Sequence, residues 1–109
     1  MNVGDVVKAL DLRVVAGRAG LTREVSGGYC GDLLSDVMAR AQPKDIWATI
    51  QGHQNVVAVA VLTEVAGVIV CGNSEPETAT IERADKESVP ILRTPLSVFE
   101  VCGKLYALI

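Results

Sequence analysis

Ile46-Trp47-Ala48-Thr49-Ile50-Gln51-Gly52-His53-Gln54-Asn55-Val56-Val57-Ala58-Val59-Ala60 decides the fold of this chain: a short apolar run, a polar break around a glycine, then a second apolar run. The same alternation recurs to the C-terminus. Ile46 to Ile50 reads as a strand before a helix from about Asn55 to Ala66. Gly67 to Cys71 leads to a helix over Pro76 to Glu87, and Val89 to Arg93 to one over Pro95 to Leu108. Three β-α units in succession predict an α/β fold, a single three-layer domain over residues 1–109 with a mostly parallel sheet covered by helices. Right-handed crossovers place neighbouring strands parallel. Val56 to Leu62 is apolar throughout, so periodicity alone does not separate a buried strand from a buried helix; length and the alanines favour helix.

Upstream, Val3, Val6, Val7 and Leu10 fall at helical spacing and predict an opening helix ending near Asp11, followed by a strand over Leu12 to Ala16. Gly17 and Gly20 bracket a turn, and Leu21 to Val25 reads as extended. Ser26-Gly27-Gly28 is expected to break the chain, since glycine tolerates positive φ, and Asp32 to cap a helix carrying Leu33, Leu34, Val37, Met38 and Ala41 until Pro43 stops it.

Composition narrows the function. Half of the 109 residues are apolar, which suits one core and leaves no room for a second. Ten Lys and Arg against thirteen Asp and Glu give a net charge of −3 with no basic run, so no nucleic-acid partner is expected. Neither a membrane span nor a secretory leader is signalled, and a cytoplasmic location is expected. Cys30, Cys71 and Cys102 form no CxxC pair and no Cys/His cluster, so neither a disulfide framework nor a metal site is predicted.

In open α/β sheets ligands bind beyond the carboxyl ends of the strands, where helix N-termini converge. With the Ser26-Gly27-Gly28 segment, that rule selects Ser26, Gly27, Gly28, Gln51, His53, Asn55, Gly72, Asn73, Ser74 and Thr94 as candidate ligand-binding residues. The same residue types also cap helices. Thr94 before Pro95 reads as a helix start, and Ser74 or Asn73 ahead of Pro76 as another. The acids Glu75 and Glu77 in a first turn disfavour an anion there. Neither GxxxxGK[ST] nor GxGxxG occurs, so no P-loop or dinucleotide site is expected and no cofactor is predicted.

No catalytic residue is predicted either. His53, the only histidine, has no nucleophile or metal ligand beside it in sequence and reads as a loop residue. Cys30 and Cys71 read as small apolar packing residues, and Asp32 and Asp36 as a cap and an exposed helix position rather than a cation site.

Glu24-Val25-Ser26-Gly27-Gly28 lies where the DRTGG domain family carries Asp-Arg-Thr-Gly-Gly, with Val25 in place of the arginine. Gly28-Tyr29-Cys30-Gly31-Asp32-Leu33-Leu34-Ser35-Asp36-Val37-Met38 resembles stand-alone members of that family. So do the stretch from Ile46 to Ala60 quoted above and Thr94-Pro95-Leu96-Ser97-Val98-Phe99-Glu100, so the resemblance covers nearly the whole chain. The family resembles the N-terminal domain of HPr kinase/phosphorylase, which implies an accessory α/β module for regulation or subunit association.

Two functions are therefore expected. The first is a non-catalytic regulatory module that binds a small metabolite, a nucleotide or a phosphorylated compound, as a homodimer. The second is an adaptor that recruits a protein partner without a small ligand. The nearly all-apolar segment after Asn55 is expected either to form a subunit interface or to pack as an internal core helix, and a C-terminal helix with one polar stripe, Ser97, Glu100 and Lys104, offers a second face for a homodimer or a protein partner.

Overall fold

The computed structural model describes residues 1–109. Helix α1 (Val3–Leu10) precedes β1 (Arg13–Ala16), and a 3-10 turn over Arg18–Gly20 leads to β2 (Gly27–Cys30). The chain continues through α2 (Leu34–Arg40), β3 (Asp45–Thr49), α3 (Asn55–Thr63), β4 (Gly67–Val70), α4 (Thr78–Glu87), β5 (Ile91–Arg93) and α5 (Val98–Leu108). The strands form one sheet in the order β1-β5-β4-β3-β2, with β2 to β5 parallel and β1 antiparallel to β5.

Strand alternation divides the core. Trp47, Val68, Val70 and Ile91 point to the side covered by α2, α3 and α4, where Val37, Val56, Val57, Ala60 and Ala84 meet them. Ile46, Ala48, Ile69 and Leu92 point to the other side, against Val3, Val6 and Leu10 of α1 and Val101 and Leu105 of α5. These are the two sets that a period of two requires. Because β2 to β5 advance across the sheet in one direction, right-handed crossovers put their three connecting helices on the same face. That leaves α1 and α5 for the other.

The ambiguous Val56 to Leu62 segment is helical, and its helix ends at Thr63 rather than Ala66. Four local expectations are corrected. Ser26-Gly27-Gly28 is not a positive-φ turn: Gly27 and Gly28 lie in β2, paired with Asp45 and Ile46. Asp32 caps no helix, since α2 starts after Leu33 without a side-chain cap. Thr94 does not start α5; Ser97 does, accepting from the Glu100 amide at 3.2 Å while the Glu100 side chain accepts from the Ser97 amide. Neither Asn73 nor Ser74 caps α4, which begins at Thr78 rather than Pro76. The Glu77 amide and the Thr80 hydroxyl both donate to the Gly52 carbonyl instead, at 3.0 and 2.6 Å, tying the start of α4 to the loop after β3.

Candidate functional site

Beyond β4 and β5 the chain leaves toward opposite faces, to α4 and to α5, which is where the crevice rule places a ligand. Gly72 and Asn73 turn there with φ of +68° and +59°. The structure does bring Gly72, Asn73, Ser74 and Thr94 together. Their polar groups, however, are engaged by the chain. The Gly72 amide donates to the Leu96 carbonyl at 2.7 Å and the Asn73 amide to the Thr94 carbonyl at 2.9 Å. Arg93 reaches across to the carbonyls of Ser74 and Asn73, both at 3.0 Å. The Thr94 hydroxyl is buried and accepts from the Leu96 amide at 3.2 Å. A crevice of this kind binds an anion with free amides, and these amides are occupied.

The loop after β3 is similarly self-contained. The Asp32 carboxylate accepts from the Thr49 hydroxyl at 2.7 Å and the Ile50 amide at 3.0 Å, which fixes the end of β3. The Gln51 side-chain amide donates to the Asp32 carbonyl. His53 Nδ1 accepts from the Asn55 amide at 3.1 Å, so the lone histidine satisfies a free amide at the start of α3.

Ser26, Gly27 and Gly28 stand apart from all of these, at the start of β2, level with the first residues of β3. Both glycines are set by packing. A Cβ on Gly27 would lie 2.7 Å from the Asp45 carboxylate, and one on Gly28 would lie 3.0 Å from a Leu105 methyl. The outer side of β2 pairs with no strand of this chain. Beside it runs a groove of about 500 Å³, walled by Gly27, Gly28 and Cys30 on the strand and by Cys102, Leu105 and Tyr106 on α5. Its lining is mainly apolar, and Tyr106 is 90% exposed at its rim.

Cys30 is exposed, whereas Cys102 is half-buried. Burial, and then the hydrogen-bonding and charge of the neighbouring Cys30 thiol, push the Cys102 thiol up to about 12. Burial likewise pushes Cys71 up to about 11. Sequence reasoning missed this convergence, because Cys30 and Cys102 are remote in sequence and meet only when α5 packs on β2. No group of three or more His, Cys, Asp or Glu side chains is placed to hold a metal ion.

The sequence profile of the DRTGG domain matches residues 5–108. The chain belongs to the DRTGG domain family. Among solved structures, this DRTGG domain is similar to the CBS and DRTGG domains of the regulatory region of Clostridium perfringens pyrophosphatase, complexed with the activator diadenosine tetraphosphate. The TM-score is 0.71 at 14% identity, with 95% of this chain and 45% of that one covered, so the DRTGG domain spans less than half of that chain. The likeness confirms the α/β architecture. No curated protein matches this chain by sequence, and none of its helices is long and apolar enough to cross a membrane.

Proposed function

We propose that this DRTGG domain, residues 1–109 acting as one unit, is a non-catalytic regulatory module that binds a nucleotide or phosphorylated metabolite as a homodimer. The observation that carries the reading is the groove between β2 and α5. Its strand wall is the Gly27–Gly28 pair, which stands where the family motif carries its own glycines, and an apolar slot beside bare backbone suits the flat face of a nucleobase. The similar pyrophosphatase region, complexed with a dinucleotide activator, supports the choice of ligand class. Ser26 directly precedes the strand wall in sequence. The amides of Gly72 and Asn73 and the Thr94 hydroxyl, like the His53 ring, already have partners in the chain, so we place the ligand at the groove rather than at the strand ends.

Thermal unfolding against adenine nucleotides, a dinucleoside polyphosphate and inorganic phosphate tests the reading. A ligand at 100 times its Kd stabilises by about 2.7 kcal/mol, which raises Tm by on the order of 10 °C in a domain this small. The shift is expected to shrink in Tyr106→Ala. No shift with any compound at saturation would overturn it.

The adaptor reading is favoured by one observation. Phe99 and Tyr106 are 88% and 90% exposed and lie two turns apart on one side of α5. Sedimentation separates self-association from recruitment: a dimer that Phe99→Glu converts to monomer assigns this face to a second copy, whereas a wild-type monomer leaves it for a different protein.

A further inference from the structure

We propose that Cys30 and Cys102 form a peroxide-oxidisable thiol pair that closes to an intramolecular disulfide, joining edge strand β2 to α5. The two side chains line the same groove from opposite walls. Cys30 ends edge strand β2 and is exposed, which gives an oxidant a direct approach. Cys102 lines the groove from the helix, is half-buried, and has Cys30 as a neighbour close enough to act on its thiol. The third cysteine, Cys71, is fully buried and does not line the groove.

Exposure sets the order of events. Only the thiolate attacks peroxide at a useful rate; burial holds Cys102 and Cys71 as thiols, and Cys30 is the cysteine exposed to the solvent that carries the oxidant. The Cys30 sulfur attacks one oxygen of hydrogen peroxide; the S–O bond forms, the O–O bond breaks, and the departing hydroxide leaves as water with the thiol proton. Cys30 is then a sulfenic acid. The Cys102 sulfur attacks the Cys30 sulfur, the S–S bond forms, the S–O bond breaks, and the sulfenic oxygen leaves as water with the Cys102 proton. Two thiols lose two electrons and one peroxide becomes two waters. The burial of Cys102 makes the second step the slower one.

The test uses the purified full chain and hydrogen peroxide, read by intact mass and by peptide mapping without reductant. The expected result is a single-chain mass lighter by two hydrogens, with no covalent link between chains, the Cys30 and Cys102 peptides linked and Cys71 free. In Cys102→Ser the oxidation is expected to stop at Cys30, where dimedone traps the sulfenic acid; Cys30→Ser is expected to abolish both products. Recovery of Cys30 and Cys102 as free thiols, accumulation of Cys30 sulfenic acid in the wild-type chain without closure, linkage of Cys30 across two chains, or oxidation of Cys71 first would each overturn the proposal. The wild-type measurement stands even if either variant folds poorly.

Discussion

The Tyr29 hydroxyl on β2 donates a hydrogen bond to the Asp36 carboxylate on α2, whose other oxygen accepts from Arg40 Nε at 2.8 Å. This contact fixes the first crossover helix to the sheet edge that carries the groove. It also moves both acidities, chiefly through the shared hydrogen bond: Asp36 is held below its ordinary 3.8 and Tyr29 above its ordinary 10.0. A carboxylate depressed on folding contributes stability that is present above 3.8 and is lost as pH falls through its folded value. A phenol raised on folding contributes stability that is present below 10.0 and is lost as pH rises through its folded value. Tyr29→Phe is expected to return Asp36 toward the usual carboxylate value in an NMR titration and to flatten the alkaline flank of the stability profile. An unchanged Asp36 titration would show that the contact is absent in solution.

Two glycines should respond in opposite directions to the same substitution. Gly17 sits at φ +72°, and a Cβ there would lie 1.9 Å from the Val89 carbonyl oxygen, so Gly17→Ala forces backbone apart as well as strain at that residue. A loss of roughly 3 kcal/mol or more is expected in urea unfolding. Gly103 lies inside α5, and beyond the helix's own backbone and its two chain neighbours nothing comes within 4 Å of an added Cβ. Gly103→Ala should stabilise the protein by roughly 0.5–1 kcal/mol, because alanine loses less backbone entropy in a helix.

Helix α5 starts at Ser97, and its cap should behave accordingly. Ser97→Ala removes the oxygen that accepts from the Glu100 amide and should cost about 1 kcal/mol. Ser97→Asp, which keeps an acceptor at the same place, should restore most of it. Equal stability of the alanine and aspartate variants would argue against the cap.

Some of this was readable in the sequence. The three β-α units announced themselves through the length and spacing of their apolar runs, and α1 through Val3, Val6, Val7 and Leu10. Strand β2 did not, because Ser26-Gly27-Gly28 is turn grammar when read locally. Those glycines are in a strand for reasons supplied by distant residues, the Asp45 carboxylate and the Leu105 methyl, which occupy the space of their missing side chains. Thr94-Pro95 misled in a similar way. Local rules read a helix start, yet the Leu96 and Thr94 carbonyls are held by the Gly72 and Asn73 amides, and the helix begins only once the chain is free of that contact. The groove itself was invisible, since its two walls lie at opposite ends of the chain.

Amide chemical-shift mapping with a dinucleoside polyphosphate tests whether the groove between β2 and α5 receives a nucleotide-class ligand. A ligand seated there gives saturable shifts concentrated at Gly27, Gly28 and Cys30 and at Cys102, Leu105 and Tyr106. Saturable shifts confined to Gln51–Asn55 and Gly72–Ser74, or no shifts anywhere, would contradict that placement.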